Sequence, residues 1–171
     1  MRKIIFLSIL IFKLIYADLA SADTNVSESA KVFVANRNYD IDYRTKILRS
    51  YLESHNSPLA DDADKFIMYA DIYQIDWRLV PAISGVESTF GKHIPKNSYN
   101  AYGWANGNYQ FKSWEESIEI VSRALREKYY DKGATNISKI ARRYAPPSST
   151  WSWKVKYFME KIDSVPVEFD L

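Results

Sequence analysis

Residues 79–91 read LVPAISGVESTFG, Leu79 to Gly91. Leu79, Val80, Ile83, Val86 and Phe90 recur at three- and four-residue steps, the spacing of an α-helix. Glu87 lies four residues after Ile83 and seven after Val80, so it projects beside the apolar stripe and not opposite it. A carboxylate in such a position is unfavourable unless it is paired, hydrogen-bonded or protonated. Gly91 supplies a natural helix C-terminus. Gly85 weakens the helix but leaves space, either for tight helix packing or for a bulky ligand beside the acid.

Helical spacing extends in both directions. Upstream, a first helix is predicted over 42–55, with Ile47, Leu48, Tyr51 and Leu52 inward. Asn56-Ser57-Pro58 breaks it, and Ser57 can cap a second helix that begins at Pro58 and reaches Tyr73 through Phe66, Ile67, Ala70 and Ile72. Asp76 offers the N-cap of the helix that ends near Thr89, with a slight kink expected at Pro81. Downstream, Ser113-Trp-Glu-Glu116 is a capping box. It opens a helix carrying Ile118, Val121, Leu125 and Tyr129. A short helix over 136–143 stops at Ala145-Pro146-Pro147, and a last one over 150–163 turns Trp151, Val155, Phe158 and Ile162 inward. Between these runs, GKHIPKNSYNAYGWANGNYQFK (91–112) loses helical spacing and holds three glycines, a proline and four asparagines. It reads as a long loop or a short β-hairpin. Its five aromatics argue against disorder. The fold class is therefore all-α: a small helical domain with one aromatic-rich insertion.

Residues 1–22 read as a secretory signal. Arg2 and Lys3 precede an apolar run, Ile4 to Phe12, and Ala20-Ser21-Ala22 fits a cleavage site. An uncleaved anchor is the rival, but Lys13 interrupts the run short of a membrane span. Residues 23–40 read as a flexible segment and 41–171 as the folded domain. Removing the three basic residues and one acid of 1–22 from the 23 basic and 21 acidic side chains leaves 20 of each. A formally neutral mature chain gives no electrostatic case for nucleic acid or an anionic membrane. With no cysteine, the domain must rest on its core. Two distant histidines, His55 and His93, argue against a structural zinc site. Nothing in the sequence calls for a metal or cofactor.

Three candidates carry chemistry. Glu87 has the setting of a carboxylic acid able to give a proton to a leaving group, as glycosidases require. A helix-edge glutamate paired with a cation is the structural alternative. Asn100-Ala-Tyr-Gly-Trp104 is the second: Asn100 can bond hydroxyl or acetamido groups, Tyr102 and Trp104 can stack on sugars, and Gly103 lets backbone approach a ligand. A loop packed on its own aromatics is the alternative. Tyr144 could bring a phenol near the acid or belong to the core.

In order, VESTFG, NAYGW, FKSWEESI and RRYAPP resemble the lysozyme-like superfamily, nearest to bacterial glucosaminidases and soluble lytic transglycosylases that cut peptidoglycan. Glu87-Ser88-Thr89-Phe90-Gly91 is similar to their helix-borne Glu-Ser motif, Asn100-Ala101-Tyr102-Gly103 to their Asn-x-aromatic-Gly motif, and Tyr144 to the late tyrosine of the transglycosylases. The likeness covers about residues 58–163. It implies a lysozyme-like fold with the 92–112 segment over a substrate groove, and cleavage of the β-1,4 bond between N-acetylglucosamine and N-acetylmuramic acid. Glu87 would be the general acid/base. Ser88 would help orient Glu87 or bind the substrate, and Asn100, Tyr102, Gly103, Trp104 and Tyr144 would meet the substrate. No second carboxylate is marked as partner: Glu115 and Glu116 lie in a helix cap and Asp131 near a turn. Hydrolysis and anhydro-product formation both remain open, as does action on chitin-like polymers. The implied setting is periplasmic or secreted, with glycan strands as partner, the membrane met only through the signal, and a monomer. A non-catalytic peptidoglycan-binding or envelope-assembly module is the reading from another class.

Overall fold

A computed structural model describes residues 42–146 and 148–166. The expected signal peptide and flexible segment lie outside them. Among the described residues the regular structure is helical, with six α-helices and no strand. They are α1 (Tyr43–Ser54), α2 (Ala63–Tyr73), α3 (Leu79–Ser88), α4 (Trp114–Ala124), α5 (Ile137–Tyr144) and α6 (Trp151–Asp163). None of them is long and apolar enough to cross a membrane.

α1 starts where the Asp42 side chain accepts from the Arg44 N–H at 2.9 Å, and it buries Ile47, Leu48, Tyr51 and Leu52. α2 begins later than Pro58. Ser57 Oγ accepts from Leu59 N–H at 3.1 Å, and the chain first winds a tight 3-10 turn, Ala60–Asp62. Ile72 faces solvent, because left-handed Gln74 ends α2 and swings Ile75 into the core instead. Asp76 accepts from Arg78 N–H at 3.0 Å ahead of α3. Pro81 is the third residue of α3, where backbone N–H groups have no intrahelical partner, so the expected loss of a bond does not arise.

The capping box ahead of α4 closes from both sides. Glu116 N–H donates to Ser113 Oγ at 3.1 Å, and Lys112 N–H donates to Glu116 Oε2 at 2.5 Å. α4 runs on through a π turn, Leu125–Tyr129, and a 3-10 turn, Tyr130–Lys132, to left-handed Gly133. Asn136 caps α5 through Lys139 N–H at 2.9 Å.

α3 is the central element. Its first seven residues, Leu79 to Gly85, are all buried, and it packs chiefly on α6, while α2 packs on α4 and α5 on α6. The space beside Gly85 holds protein: a Cβ there would stand 2.6 Å from the Phe90 ring and 3.1 Å from Phe158. Gly85 therefore serves helix packing and leaves no room for a ligand. The segment 92–112 is irregular, with a single turn of 3-10 type at Trp104–Gly107.

Candidate active site

α3 ends in a tight reversal. Thr89, Phe90 and Gly91 take successive left-handed conformations, at φ 53°, 59° and 80°. The reversal returns Phe90 to the core, where its ring meets Phe158 edge-on at 5.0 Å and Tyr51 at 5.6 Å. It also leaves Glu87, one residue before the end of α3, exposed at the surface. Six of the eight described non-glycine residues with positive φ fall between Thr89 and Asn106. Such backbone persists only where surrounding bonds over-determine it, and it concentrates at functional sites.

Those bonds come from residues the sequence suggests as ligand contacts. Ser88 is buried, donates to the carbonyls of Ala101 (2.8 Å) and Ser84 (3.0 Å), and accepts from Gly91 N–H (2.9 Å). It thus clamps the loop to the end of α3. Asn100 is buried too. Its Nδ2 donates to the Trp104 and Tyr109 carbonyls at 2.9 and 3.0 Å, and its Oδ1 accepts from Trp104 N–H at 2.9 Å. The Tyr102 side chain is 1% exposed, a core residue whose hydroxyl has no hydrogen-bond partner. Burial pushes its phenol far up, so it stays neutral. These three are corrections: Ser88, Asn100 and Tyr102 build the loop and present no side chain to a groove.

Glu87, Gly103 and Tyr144 do come together. Glu87 Oε2 would lie 3.1 Å from a Cβ built on Gly103, which holds φ +63°. Only glycine lets backbone come this close to the carboxylate in that conformation. Tyr144 Oη donates to the Tyr102 carbonyl at 2.7 Å, joining the end of α5 to the residue before Gly103. Burial raises the Tyr144 phenol well above its ordinary range, and the neighbouring Glu87 carboxylate adds to this. Tyr144 is therefore a fixed, neutral donor. Trp104 is half-buried, tilted against Phe111 at 6.4 Å, with the Lys128 ammonium 5.7 Å from its ring centre.

Sequence reasoning places Trp151 inward without a role. The structure gives it one: its indole Nε1–H donates to Glu87 Oε1 at 2.7 Å, and its ring stacks on Tyr144 at 5.0 Å with 25° between planes. Glu87 is thus oriented through one oxygen by an aromatic donor, while the other faces the Gly103 backbone. The remaining carboxylates considered as partners are engaged in the fold. Glu115 accepts from Tyr69 at 3.3 Å, Glu116 completes the α4 cap, and Asp131 pairs with Arg126 at 2.9 Å. No cluster of three His, Cys, Asp or Glu side chains among the described residues could hold a metal ion. Compared with known proteins, the sequence matches no family model and no curated protein.

Proposed function

We propose that this protein is a peptidoglycan glycosidase of lysozyme-like architecture, exported to the periplasm or beyond, with Glu87 as its general acid. The observation that carries the reading is the fixed carboxylate. Glu87 is exposed, held at Oε1 by Trp151 Nε1–H, and carries Oε2 beside Gly103, whose missing side chain leaves the carboxylate room. In the acid form, a carboxyl that accepts an N–H bond on one oxygen carries its proton on the other. Oε2 is then the proton donor to the glycosidic oxygen. The C1–O bond breaks as the proton is delivered, and the resulting carboxylate is the base for the second step. The substrate's own acetamido oxygen or 6-hydroxyl supplies the nucleophile, in keeping with the engagement of Glu115, Glu116 and Asp131 by the fold. Trp104, Tyr144 and the 92–112 segment form the wall and roof of the groove, with glycan strands of alternating N-acetylglucosamine and N-acetylmuramic acid as ligand.

The test is mass spectrometry of purified peptidoglycan digested by the wild type and by Glu87→Gln. A lost general acid costs about 10²- to 10⁴-fold in rate. Anhydro-muropeptides absent from the Glu87→Gln digest would define a lytic transglycosylase, and products heavier by one water a hydrolase. Intact strands in both digests, with folded protein, would sink the enzyme reading in favour of a non-catalytic glycan-binding module.

A further inference from the structure

The small net charge of the chain, formally +2, conceals an uneven distribution. Residues 125–144, the turns after α4 and the whole of α5, carry six basic side chains (Arg126, Lys128, Lys132, Lys139, Arg142, Arg143) against two acids, Glu127 and Asp131. Arginines elsewhere among the described residues each hold a carboxylate. Arg44 pairs with Asp42 and Asp71, Arg49 with Asp61, Arg78 with Asp76 and Asp163, and Arg123 with Glu119. Arg126 removes one of the two local acids by pairing with Asp131. Arg142 and Arg143 differ: neither has a carboxylate partner among the described residues.

These two line a cavity of about 270 Å³ together with Lys139, Gly133 and Ala134. Two of its three cations are held in place by backbone. Arg143 donates to the carbonyls of Lys128 (3.3 Å) and Lys132 (3.1 Å), and Lys139 Nζ donates to that of Gly133 (3.2 Å). A guanidinium has five N–H donors in a rigid fork, so Arg143 keeps donors free after these two bonds. Arg142 makes no bond in the fold and is exposed. Two residues link the patch to the candidate site: Lys128, whose carbonyl accepts from Arg143, has its ammonium over Trp104, and Tyr144 directly follows Arg143 in sequence.

Resting on the glycosidase reading, we propose that this cleft binds the carboxylates of the peptide stems carried by the glycan strand, so that strands whose peptide carboxyls are free are preferred to strands whose peptide carboxyls are blocked. In the peptide-bearing strand the sugars are neutral, because each N-acetylmuramic acid carboxyl is held in an amide bond to its peptide. The anions available along it are the carboxyl groups of its peptide substituents, and paired arginines are the side chains best matched to them.

Binding can test this without cleavage. The dissociation constant of Glu87→Gln protein would be measured for peptide-bearing strands and for the same strands after their peptide carboxyls have been converted to neutral amides, a control that frees no muramic acid carboxylate. The expected preference is about tenfold or more for the form with free carboxyls, shrinking as salt rises and lost in the additional variant Arg142→Glu. Because Arg142 supports no contact of the fold, Arg142→Ala serves as a second, milder variant with the same direction of change. Equal affinities, or a preference that survives both substitutions, would overturn the proposal. Wild-type cleavage without discrimination would leave the enzyme standing and remove the cleft. Discrimination without cleavage would do the reverse. Capture by phosphatidylglycerol vesicles, with no distinction between the two glycans, would reassign the patch to a membrane surface and overturn the inference.

Discussion

Trp151 has one polar hydrogen to donate and no lone pair to accept with, so its bond to Glu87 Oε1 constrains the acid in one sense only. It occupies Oε1 and leaves Oε2 to carry the proton when the group acts as an acid. Trp151→Phe removes this donor and keeps a ring to stack on Tyr144. A hydrogen bond to a charged group is worth about 1.5–3 kcal/mol, so kcat should fall roughly 10- to 100-fold. KM should move little, because the donor orients a reacting group and does not hold the substrate, while the melting temperature should fall because the smaller ring leaves space at a buried position. Equal activity of the two proteins would mean that Glu87 finds its geometry without the indole. This contact was not legible in the sequence. Helical spacing marks Trp151 as inward, and Glu87 lies 64 residues away. Periodicity reports a face, and says nothing of which distant side chain that face meets.

At the scale of elements, the helices were readable and the insertion was readable only in part. α1, α4, α5 and α6 follow their apolar spacing because the buried stripe is what stabilises a short helix. The irregular segment obeys another rule. A chain without a helix or strand ladder must still satisfy its backbone N–H and C=O groups, and short polar side chains are the means at hand. Asn100 looked like a ligand contact for its polarity and Ser88 for its place in the Glu-Ser motif, and the polarity of both is consumed by the loop itself. Tyr102 likewise went to the core, as most large aromatics do. Ser88→Ala should therefore act on stability before chemistry. It would leave buried partners at Ala101 and Gly91 unsatisfied, a loss of about 2–3 kcal/mol. Denaturant melts compared with Glu87→Gln, which removes no buried bond, provide the check. A full-stability Ser88→Ala protein with impaired glycan binding would return Ser88 to the groove.

Across the whole molecule, two arginines staple helices together and set its response to acid. Arg44 joins Asp42, at the start of α1, to Asp71 in α2, and Arg78 joins Asp76, ahead of α3, to Asp163 at the end of α6. At Asp42 the bond from the Arg44 side chain lowers the carboxyl below its ordinary range. At Asp76 burial pushes the carboxyl up, and the bonds from Arg78 more than offset it, so the net shift is also downward. A depressed carboxyl contributes stability that is whole above the ordinary aspartate value of about 3.9 and is lost as pH falls through the lower folded value. Arg78 moves in the opposite sense, upward through its bond to Asp76, and stays charged throughout. Asp76→Asn should thus lose roughly 1–2 kcal/mol near neutral pH, after allowance for a carboxylate still partly open to water. The gap between wild type and Asp76→Asn should narrow as pH falls below about 4, where the carboxyl of the unfolded chain and then that of the folded protein take up their protons. Urea unfolding of both proteins across that window reads it directly. A gap of the same size at both ends would show that Asp76 supports the α3–α6 contact by packing, with no contribution from its charge.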